Sequence, residues 1–432
     1  MTNLTFVALL ADAFIGGEQT SKAATERALQ AVRHEWRWVR SLAVRYINQF
    51  GNERPKIRTV LKFLWSDARL RRCLSKYHVE IKLLVKIAQQ PLPRMAPVDA
   101  ADGWNLPAIE TIGDLAEWLE LEIAQLDWFA DLAHRNRRSG VAKLEHYHYR
   151  TLPKGSGGLR QIEQPKPRMM QLQRKILADI LDLMPVHAAA HGFKRGRSVK
   201  TFVAPHTGQG VVLRMDLEDF FPSISFARVA ALLRIAGYPE NVAARLSGIC
   251  TNATKALPVP HLPQGAATSP ALANLCAYRL DCRLTGLANS AGAVYTRYAD
   301  DMAFSGGKDF AHKADRFAAH VAAIIHDEGF AVHHRKTRVM RPGVRQHLAG
   351  LVINQHANVS RRDFDQLKAI LTNCVRHGPE GQNHSGHAAF RQHLEGRVGW
   401  VEQINPERGR KLRQIADRIQ WQDNVVENRA AK

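Results

Sequence analysis

Cysteine is scarce in this sequence: five stand among 432 residues, and no two have the spacing of paired zinc ligands. An odd number of cysteines cannot all pair within one chain. Both features argue against a small secreted domain held by disulfides and against a zinc module. We therefore expect reduced thiols in a cytoplasmic protein. The five are Cys73, Cys250, Cys276, Cys282 and Cys374.

Long apolar runs are also missing. The N-terminal stretch MTNLTFVALLADAFIGGEQ contains a short apolar run but lacks the basic residues that begin a signal peptide, so it predicts a helix. No uninterrupted apolar segment approaches the roughly 20 residues that span a bilayer. The 20 histidines contain no His-Glu-x-x-His pattern. We expect no membrane span and no metal site built on histidine.

Acidic residues are few relative to basic ones. The chain has 40 Asp and Glu against 61 Lys and Arg, which gives a formal net charge of +21. An excess of this size predicts a polyanionic partner, nucleic acid first and an anionic membrane second, although charge that serves only solubility is the alternative. Hydrophobic residues make up 45% of the chain, so it is globular.

The first 88 residues predict a helical region. Leu29, Val32, Trp36, Val39 and Leu42 follow helical spacing. Between Ala31 and Lys86 stand 14 basic and four acidic residues. This region is either an RNA-contacting helical module or a set of solvated helix faces, and the sequence does not decide between them.

Beyond this region the pattern becomes mixed. Residues 89–107 are rich in proline and predict a linker. Two short strands are expected around a Gly-Ser-Gly-Gly turn in HYHYRTLPKGSGGLRQIEQP. Strand-like and helix-like segments then alternate from about 211 to 354, and helices follow 360. We expect an α+β protein with helical regions at both ends.

Carboxylates stand in two strand-like segments. Asp216 closes the run GVVLRMD, and Asp300 and Asp301 lie in the strand–turn–strand pattern AVYTRYADDMAFSG. Bringing the two segments together would cluster three acids, which repel one another unless a cation neutralises them. Oxygen ligands favour Mg²⁺ or Mn²⁺, and two such ions about 3.5–4 Å apart can activate a hydroxyl and stabilise a leaving pyrophosphate. The alternative is a hairpin with an exposed Asp-Asp turn.

The sequence resembles the reverse transcriptases. The motif YADD is similar to the signature of that family, and seven similar blocks follow the family's order between about 145 and 355. Within the family, bacterial retron enzymes are the most similar. The blocks that carry the resemblance are KGSGGLRQIEQPKPRMMQLQRKIL, HGFKRGRSV, LRMDLEDFFPSI, LPQGAATSPALANL, RYADDMAFSG, GFAVHHRKTRVM and HLAGLVIN.

The resemblance implies roles for individual residues. Asp216, Asp300 and Asp301 match the catalytic carboxylates that bind metal. Asp219 would lie near the triphosphate through its backbone, or only cap a turn. Phe221 would exclude the 2′-hydroxyl of ribonucleotides, or be an ordinary core phenylalanine.

Further residues match the nucleotide and primer sites. Lys154 and Arg160 would clamp the triphosphate from a fingers hairpin, with a solvated basic hairpin as the alternative. Gln264 would contact the nucleotide, and Lys336 would lie near the metals, unless they are ordinary turn and surface residues. His206 and Gly350 match positions that concern RNA and primer. The chain departs from the usual retron wording at Ala349, where threonine is common, and lacks an asparagine before His206.

The fold implied is a right-hand polymerase with an antiparallel palm sheet, fingers, a helical thumb and an extra N-terminal helical region. The ranges expected are 1–88 for the helical region, 89–107 for the linker, 108–209 mainly for fingers, 210–355 for palm with interleaved fingers segments, and 356–432 for thumb. The 78 residues after Asn354 suffice for a thumb and are too few for an added RNase H domain.

The function implied is RNA-directed DNA synthesis with two Mg²⁺ ions, Mn²⁺ being the substitute. A retron enzyme would take deoxynucleoside triphosphates and a structured non-coding RNA, begin from a 2′-hydroxyl of a guanosine, and leave a branched RNA–DNA product. Such enzymes often act against phage with an accessory effector protein. Two alternatives stay open: another bacterial reverse transcriptase, of group II intron, diversity-generating or other defence type, and an inactive RNA-binding scaffold.

Overall fold

The structure is a computed structural model. It divides into two compact units, Met1–Pro93 and Arg94–Lys432, each with its own core. No described helix is both long enough and apolar enough to cross a membrane. The residues that the structure describes are 2–32, 34–51, 53, 55–82, 94–134, 141–153, 157–254 and 256–421.

The smaller unit is helical, as its apolar periodicity predicts. In α3 the buried residues Val39, Leu42, Ala43 and Tyr46 recur every three or four positions, so one stripe faces the core. The Tyr46 ring stacks on Phe14 with centroids 4.9 Å apart. Its helices are α1 (Thr2–Ile15), α2 (Ser21–Val32), α3 (Arg37–Phe50), α4 (Ile57–Ser66) and α5 (Ala68–Lys76).

The larger unit is built around a four-stranded antiparallel sheet with strand order β4-β5-β3-β6. Alternate residues of one strand enter two different cores: Val211, Leu213 and Met215 join the first, and Val212 joins the second. Both faces of the sheet are therefore covered, which explains why this strand is apolar almost throughout. The strands are β3 (Val211–Asp216), β4 (Ala293–Tyr298), β5 (Asp301–Gly306) and β6 (Arg338–Met340).

The larger unit also contains two smaller sheets. A hairpin pairs β1 (Tyr147–Pro153) with β2 (Leu159–Pro165), as the glycine-rich turn between them predicts. A second small sheet has the order β7-β8-β9, with its strands at His347–Leu348, Leu351–Val352 and Asn358–Val359.

Helices make up the rest of the larger unit. Long α14 packs Phe310 and Phe317 into the first core, beside Phe304 of the sheet. The helices are α6 (Ile112–Trp118), α7 (Ile123–Ala130), α8 (Pro167–Asp179), α9 (Val199–Val203), α10 (Phe226–Ile235), α11 (Glu240–Cys250), α12 (Ser269–Cys276), α13 (Tyr278–Ser290), α14 (Lys308–Asp327), α15 (Arg361–His377), α16 (Phe390–Ile404) and α17 (Pro406–Ala416).

Part of the predicted linker packs against the larger unit. Residues 83–93 lie outside the described residues, but the Ala96 and Val98 amides donate to the carbonyls of Gly237 and Ile235. Ala101 is buried, in a short 3₁₀ turn at Asp99–Trp104. Residues 94–107 of the predicted linker 89–107 therefore belong to the larger unit. Apolar side chains between the prolines of this segment pack against the core of the larger unit.

Candidate active site

The register of the central sheet brings the predicted carboxylates together. Asp216 at the end of β3 is the direct cross-strand partner of Asp301 at the start of β5, so both side chains lie on one face. Asp300 occupies the turn between β4 and β5, and its carbonyl accepts from the Leu217 amide at 3.0 Å. The preceding residue, Ala299, holds a left-handed φ of 56°. A left-handed φ costs energy for a residue with a Cβ, so the backbone is strained directly before Asp300.

A cleft of about 930 Å³ opens at these strand ends. It collects most of the residues that the sequence singled out, from segments far apart in the chain. Those on its lining are Arg160, Asp216, Asp219, Phe221, Gln264, Asp300 and Lys336. Lys154 lies outside the described residues.

Basic side chains flank the carboxylates. The Lys336 ammonium lies 2.8 Å from Asp216 Oδ1. The Arg214 guanidinium donates twice to Asp301 Oδ1, at 2.9 and 2.6 Å. Sequence reasoning missed Arg214, although its position two residues before Asp216 on a strand places both on the same face.

The local electrostatics favour a cation. Burial, and then the charge of Asp216, raises the pKa of Asp300, and the charge of Asp301 acts in the same direction. Burial also raises the pKa of Asp301, while Arg214 opposes that rise. Carboxylates that desolvate and repel one another in this way are stabilised when a bound cation neutralises them.

The donor set fits a divalent cation in part. Asp216 and Asp300 both line the cleft and offer the oxygen ligands that hard cations prefer. Asp301 is held by Arg214 and is not on the lining. Among the described residues no three His, Cys, Asp or Glu side chains form a ready metal cluster. Both Arg214 bonds end on Oδ1 of Asp301, so Oδ2 of this third carboxylate remains able to bind a cation.

The two adjacent phenylalanines differ in position. Phe220 is buried and packs against Phe330, with ring centroids 5.7 Å apart. Phe221 is half-buried and lines the cleft. Both rings border the cleft and pack at the core, but Phe220 is the buried one, so Phe221 is the ring with more surface for a substrate.

Phe193 is a cleft residue that sequence reasoning missed. Its side chain is 47% exposed, and its ring lies 5.9 Å from that of Phe221. Its φ is 58°, which is costly for a residue with a bulky side chain. The glycine before it gave a hint of tight packing in this loop, but nothing in the sequence indicated an exposed ring.

The fingers hairpin is fastened to the loop that carries Gln264. The Glu163 amide of β2 donates to the Gln264 carbonyl at 2.8 Å. The buried Glu163 carboxylate also contacts His261 Nε2 at 2.9 Å and accepts from Asn252 at 2.6 Å. Arg160, three residues earlier on the same strand, is thereby held relative to Gln264.

His206 does not face a nucleic acid, so the expectation of RNA contact is corrected. It is fully buried, with Nδ1 2.6 Å from Ser305 Oγ and Nε2 2.7 Å from Thr296 Oγ1. Because Thr296 already donates to the Phe202 carbonyl, it must accept from Nε2–H, and Nδ1 then accepts from Ser305. Burial lowers the pKa of His206 to about 3. This histidine joins the segment at 204–206 to strands β4 and β5.

Gly350 lies at a different place from the carboxylate cleft. It has a φ of 82° in the turn between β7 and β8. It lines a second groove of about 540 Å³, together with Trp400 and Arg397 of α16 and Leu367 of α15.

Comparison with known proteins finds similar sequences among polymerases that copy RNA. The family described as "Reverse transcriptase (RNA-dependent DNA polymerase)" matches residues 152–368. The Retron Mx65 reverse transcriptase of Myxococcus xanthus is 40% identical over 322 residues, covering 72% of this chain and 72% of that protein. The Retron Mx162 reverse transcriptase of the same organism is 37% identical, covering 71% and 66%. The Retron Ec86 reverse transcriptase of Escherichia coli is 31% identical, covering 59% and 74%.

Among solved structures, telomerase from Candida albicans in complex with a fragment of telomeric RNA is a structural match. The alignment covers 83% of this chain and 68% of the telomerase chain. The TM-score is 0.36 at 10% sequence identity, a similarity too low to support any inference about this chain.

Proposed function

This chain belongs to the retron reverse transcriptases, which are RNA-directed DNA polymerases, and from that premise we propose that it copies a structured non-coding RNA beginning at a 2′-hydroxyl of that RNA. The product is a single-stranded DNA joined to the RNA through a branch. We propose further that it acts in the cytoplasm, in defence against phage, with an accessory effector protein. The observation that carries the polymerase chemistry is the pairing of Asp216 with Asp301 beside Asp300, at the strand ends where the cleft opens.

Membership of the family implies dependence on a divalent metal ion. We assign Asp216, Asp300 and Asp301 as its ligands and Mg²⁺ as the ion, two per site; bound there, it would activate the attacking hydroxyl and stabilise the leaving pyrophosphate. Asp301 would contribute a carboxylate oxygen that Arg214 does not occupy. Lys336, bonded to Asp216, orients that carboxylate before loading.

The other cleft residues hold the nucleotide. Arg160, together with Lys154, binds the triphosphate as a cationic clamp. The Asp219 backbone borders the triphosphate, Gln264 contacts the sugar and base, and Phe221 excludes a 2′-hydroxyl. Holding the reacting groups in line and neutralising charge supply most of the rate. We name 108–209 mainly fingers, 210–355 palm with interleaved fingers segments, and 356–432 thumb.

The test of priming uses the protein with its flanking genomic DNA. Total nucleic acid is extracted, digested with ribonuclease, and separated with and without a debranching enzyme. We expect a discrete DNA with a short ribonucleotide stub that shifts on debranching, and no such DNA with Asp300→Asn. A DNA that carries a free 5′ end, or that extends an ordinary 3′ primer, would overturn 2′-priming and leave RNA-directed synthesis standing. It would favour one of the other bacterial reverse transcriptase types.

A further inference from the structure

The smaller unit has a stretch that is almost free of acid. Between Pro55 and Val79 the only acidic residue is Asp67, against seven Lys and Arg. That one carboxylate already has partners within the unit. As the N-cap of α5 it accepts from the Leu70 amide, and it forms a two-point ion pair with Arg45 of α3. The remaining positive charge of the stretch is therefore uncompensated from within it.

The cations of this stretch lie opposite the buried stripe of their helices. Leu70 and Leu74 of α5 face the core, while Arg69, Arg72 and Lys76 recur at helical spacing on the exposed side. In α4, Arg58 and Lys62 are exposed four residues apart, with the Trp65 ring 38% exposed on the same side. We call these six residues the basic face. None of its cations forms an ion pair with another described residue.

We propose that the basic face binds the phosphate backbone of duplex RNA, as a second contact separate from the polymerase cleft. Family membership supplies an RNA partner, and helices that present several Lys and Arg without acids meet the phosphate backbone well. A membrane is the weaker fit, because the apolar stripe of α5 is spent in the unit's own core and is not available to enter lipid. Phosphate contacts carry no sequence information, so this binding depends on charge and shape.

The experiment uses the full chain and a labelled RNA duplex of arbitrary sequence. The variant is Arg69→Gln/Arg72→Gln/Lys76→Gln, and the control is Lys308→Gln/Lys313→Gln/Arg316→Gln, which removes the same charge from exposed positions of α14. The slope of log affinity against log salt should fall by on the order of 0.9 per lost phosphate contact in the variant, and stay at the parent value in the control.

Equal slopes in variant and control would overturn the basic face. Binding of phosphatidylserine vesicles that is lost in the variant while the RNA slope is unchanged would assign the face to a membrane and also overturn it. Extension of a primer on an unstructured template should be the same in all three proteins, so failure of the face is distinguishable from failure of the polymerase.

A second inference concerns a buried arginine that bonds to the turn between β4 and β5. We call this turn, Ala299 and Asp300, the catalytic turn. The Arg297 side chain is fully buried and forms a two-point ion pair with Asp281, at 2.8 and 2.6 Å. Its third nitrogen donates to the carbonyl of Ala299 at 3.0 Å and to Asn274 Oδ1 at 3.1 Å. Ala299 is the left-handed residue that immediately precedes Asp300.

The same network reaches the loop that carries Phe193. The Asn274 side-chain amide donates to the Gly192 carbonyl at 2.8 Å. The Arg297 backbone carbonyl accepts from the His191 backbone amide at 2.7 Å. A side chain at Gly192 would place its Cβ 2.5 Å from the Ala299 nitrogen. The loop and the catalytic turn are thus in direct contact, and Arg297 bonds the turn through its guanidinium and the loop through its backbone carbonyl and Asn274.

We infer that Arg297 is a positioning residue that sets Asp300 relative to the wall formed by Phe193 and Phe221. This inference rests on the proposed catalytic role of Asp300. A guanidinium suits the task because its planar fork holds a carboxylate and two further acceptors at fixed angles, which an ammonium cannot do. Without it the left-handed turn at Ala299 loses the bond that fixes its carbonyl.

Two variants test this role. Arg297→Lys keeps a buried charge beside Asp281 and loses the fork. Arg297→Met/Asp281→Leu/Tyr295→Phe replaces the whole polar set, since the Tyr295 hydroxyl also donates to Asp281, and a wholly apolar replacement leaves no buried charge unpaired. In both we expect kcat to fall on the order of 10²-fold, with a smaller change in the KM for nucleotide, because misplacement of a reacting group by about 1 Å has this effect.

Thermal melting and RNA affinity serve as the controls for folding. A variant that melts below the parent but keeps the parent kcat at a permissive temperature would show a purely structural role and overturn the inference. Rescue of kcat by lysine would do so too. Asp300→Asn is measured alongside: if it retains synthesis, the proposed catalytic site fails whatever Arg297 does.

Discussion

At the scale of single residues, neighbours in the sequence have opposite roles. Phe220 is buried in the core while Phe221 is only half-buried beside the cleft, and Asp300 lines the cleft while Asp301 is held by Arg214. The sequence motif identifies each pair but not which member faces the cleft. For Asp300 and Asp301 that depends on the cross-strand register and on the turn at Ala299.

Replacing the half-buried ring tests the sugar selectivity. Phe221→Ala should raise ribonucleotide incorporation relative to deoxynucleotide by about 10-fold or more, because the bulk that excludes the 2′-hydroxyl is gone. Phe220→Ala is the matched control; it should lower the free energy of unfolding by about 3–5 kcal/mol and leave discrimination unchanged. The two variants are compared by single-nucleotide extension and by melting. Unchanged discrimination in Phe221→Ala would assign that ring to the core.

Removing one carboxylate tests the metal site without relying on activity. Asp300→Asn should melt at or above the parent temperature in the absence of divalent ions, because it relieves repulsion from Asp216 and Asp301. Added Mg²⁺ should raise the melting temperature of the parent more than that of the variant. Asp301→Asn should instead lower stability, since Arg214 loses its partner. Both variants should lose DNA synthesis and keep RNA binding; normal primer extension by either would contradict the assignment.

His206 predicts a pH effect on stability. Its pKa is about 3 when folded and about 6.5 when unfolded, so between these values the unfolded state binds the proton. Its contribution is therefore present above pH 6.5 and falls by about 1.4 kcal/mol per pH unit below it, down to about pH 3. Chemical denaturation of the parent and of His206→Gln across this range should give a shallower loss in the variant. Parallel curves would show that the histidine does not titrate as its burial requires.

At the scale of elements, the sequence predicted the strands and the hairpin well and the contacts between them poorly. The apolar run before Asp216 and the pattern around Asp300 are local signals, so β3, β4 and β5 could be predicted. Arg297, Phe193 and Glu163 act through residues distant in the chain, which no local period reveals. The same limit applies to the predicted linker at 89–107, since proline content indicates irregular backbone but not whether it packs.

The attachment of the fingers hairpin can be tested at one glycine. Gly265 has a φ of 131°, and a Cβ there would lie 2.8 Å from the Glu163 carbonyl oxygen. Gly265→Ala should therefore push β2 away from the Gln264 loop and raise the KM for nucleotide, with a smaller effect on RNA affinity. Gly286→Ala in α13 is the matched control, because it has open space and should be neutral or slightly stabilising. Equal KM values in the two variants would show that the hairpin is not positioned by this contact.

At the scale of the whole molecule, the dominant property is charge. The net charge of +21 is carried by both units, while four acidic residues line the cleft of the larger unit. Affinity for RNA should fall steeply as salt rises, since many Lys and Arg displace counterions from phosphate. Binding to a labelled RNA duplex across a salt series measures this. An affinity that stays flat from low to moderate salt would mean that the charge serves something else.

Strand β3 has a consequence for how relatives of this chain can diverge. Its alternate residues enter two different cores, and its last residue supplies Asp216 to the cleft. An insertion or deletion of one residue between Val211 and Asp216 would exchange the two faces and turn the carboxylate away from Asp301. Active relatives should therefore differ in the length of this strand only by an even number of residues. A relative whose strand is longer or shorter by one residue should be an inactive copy.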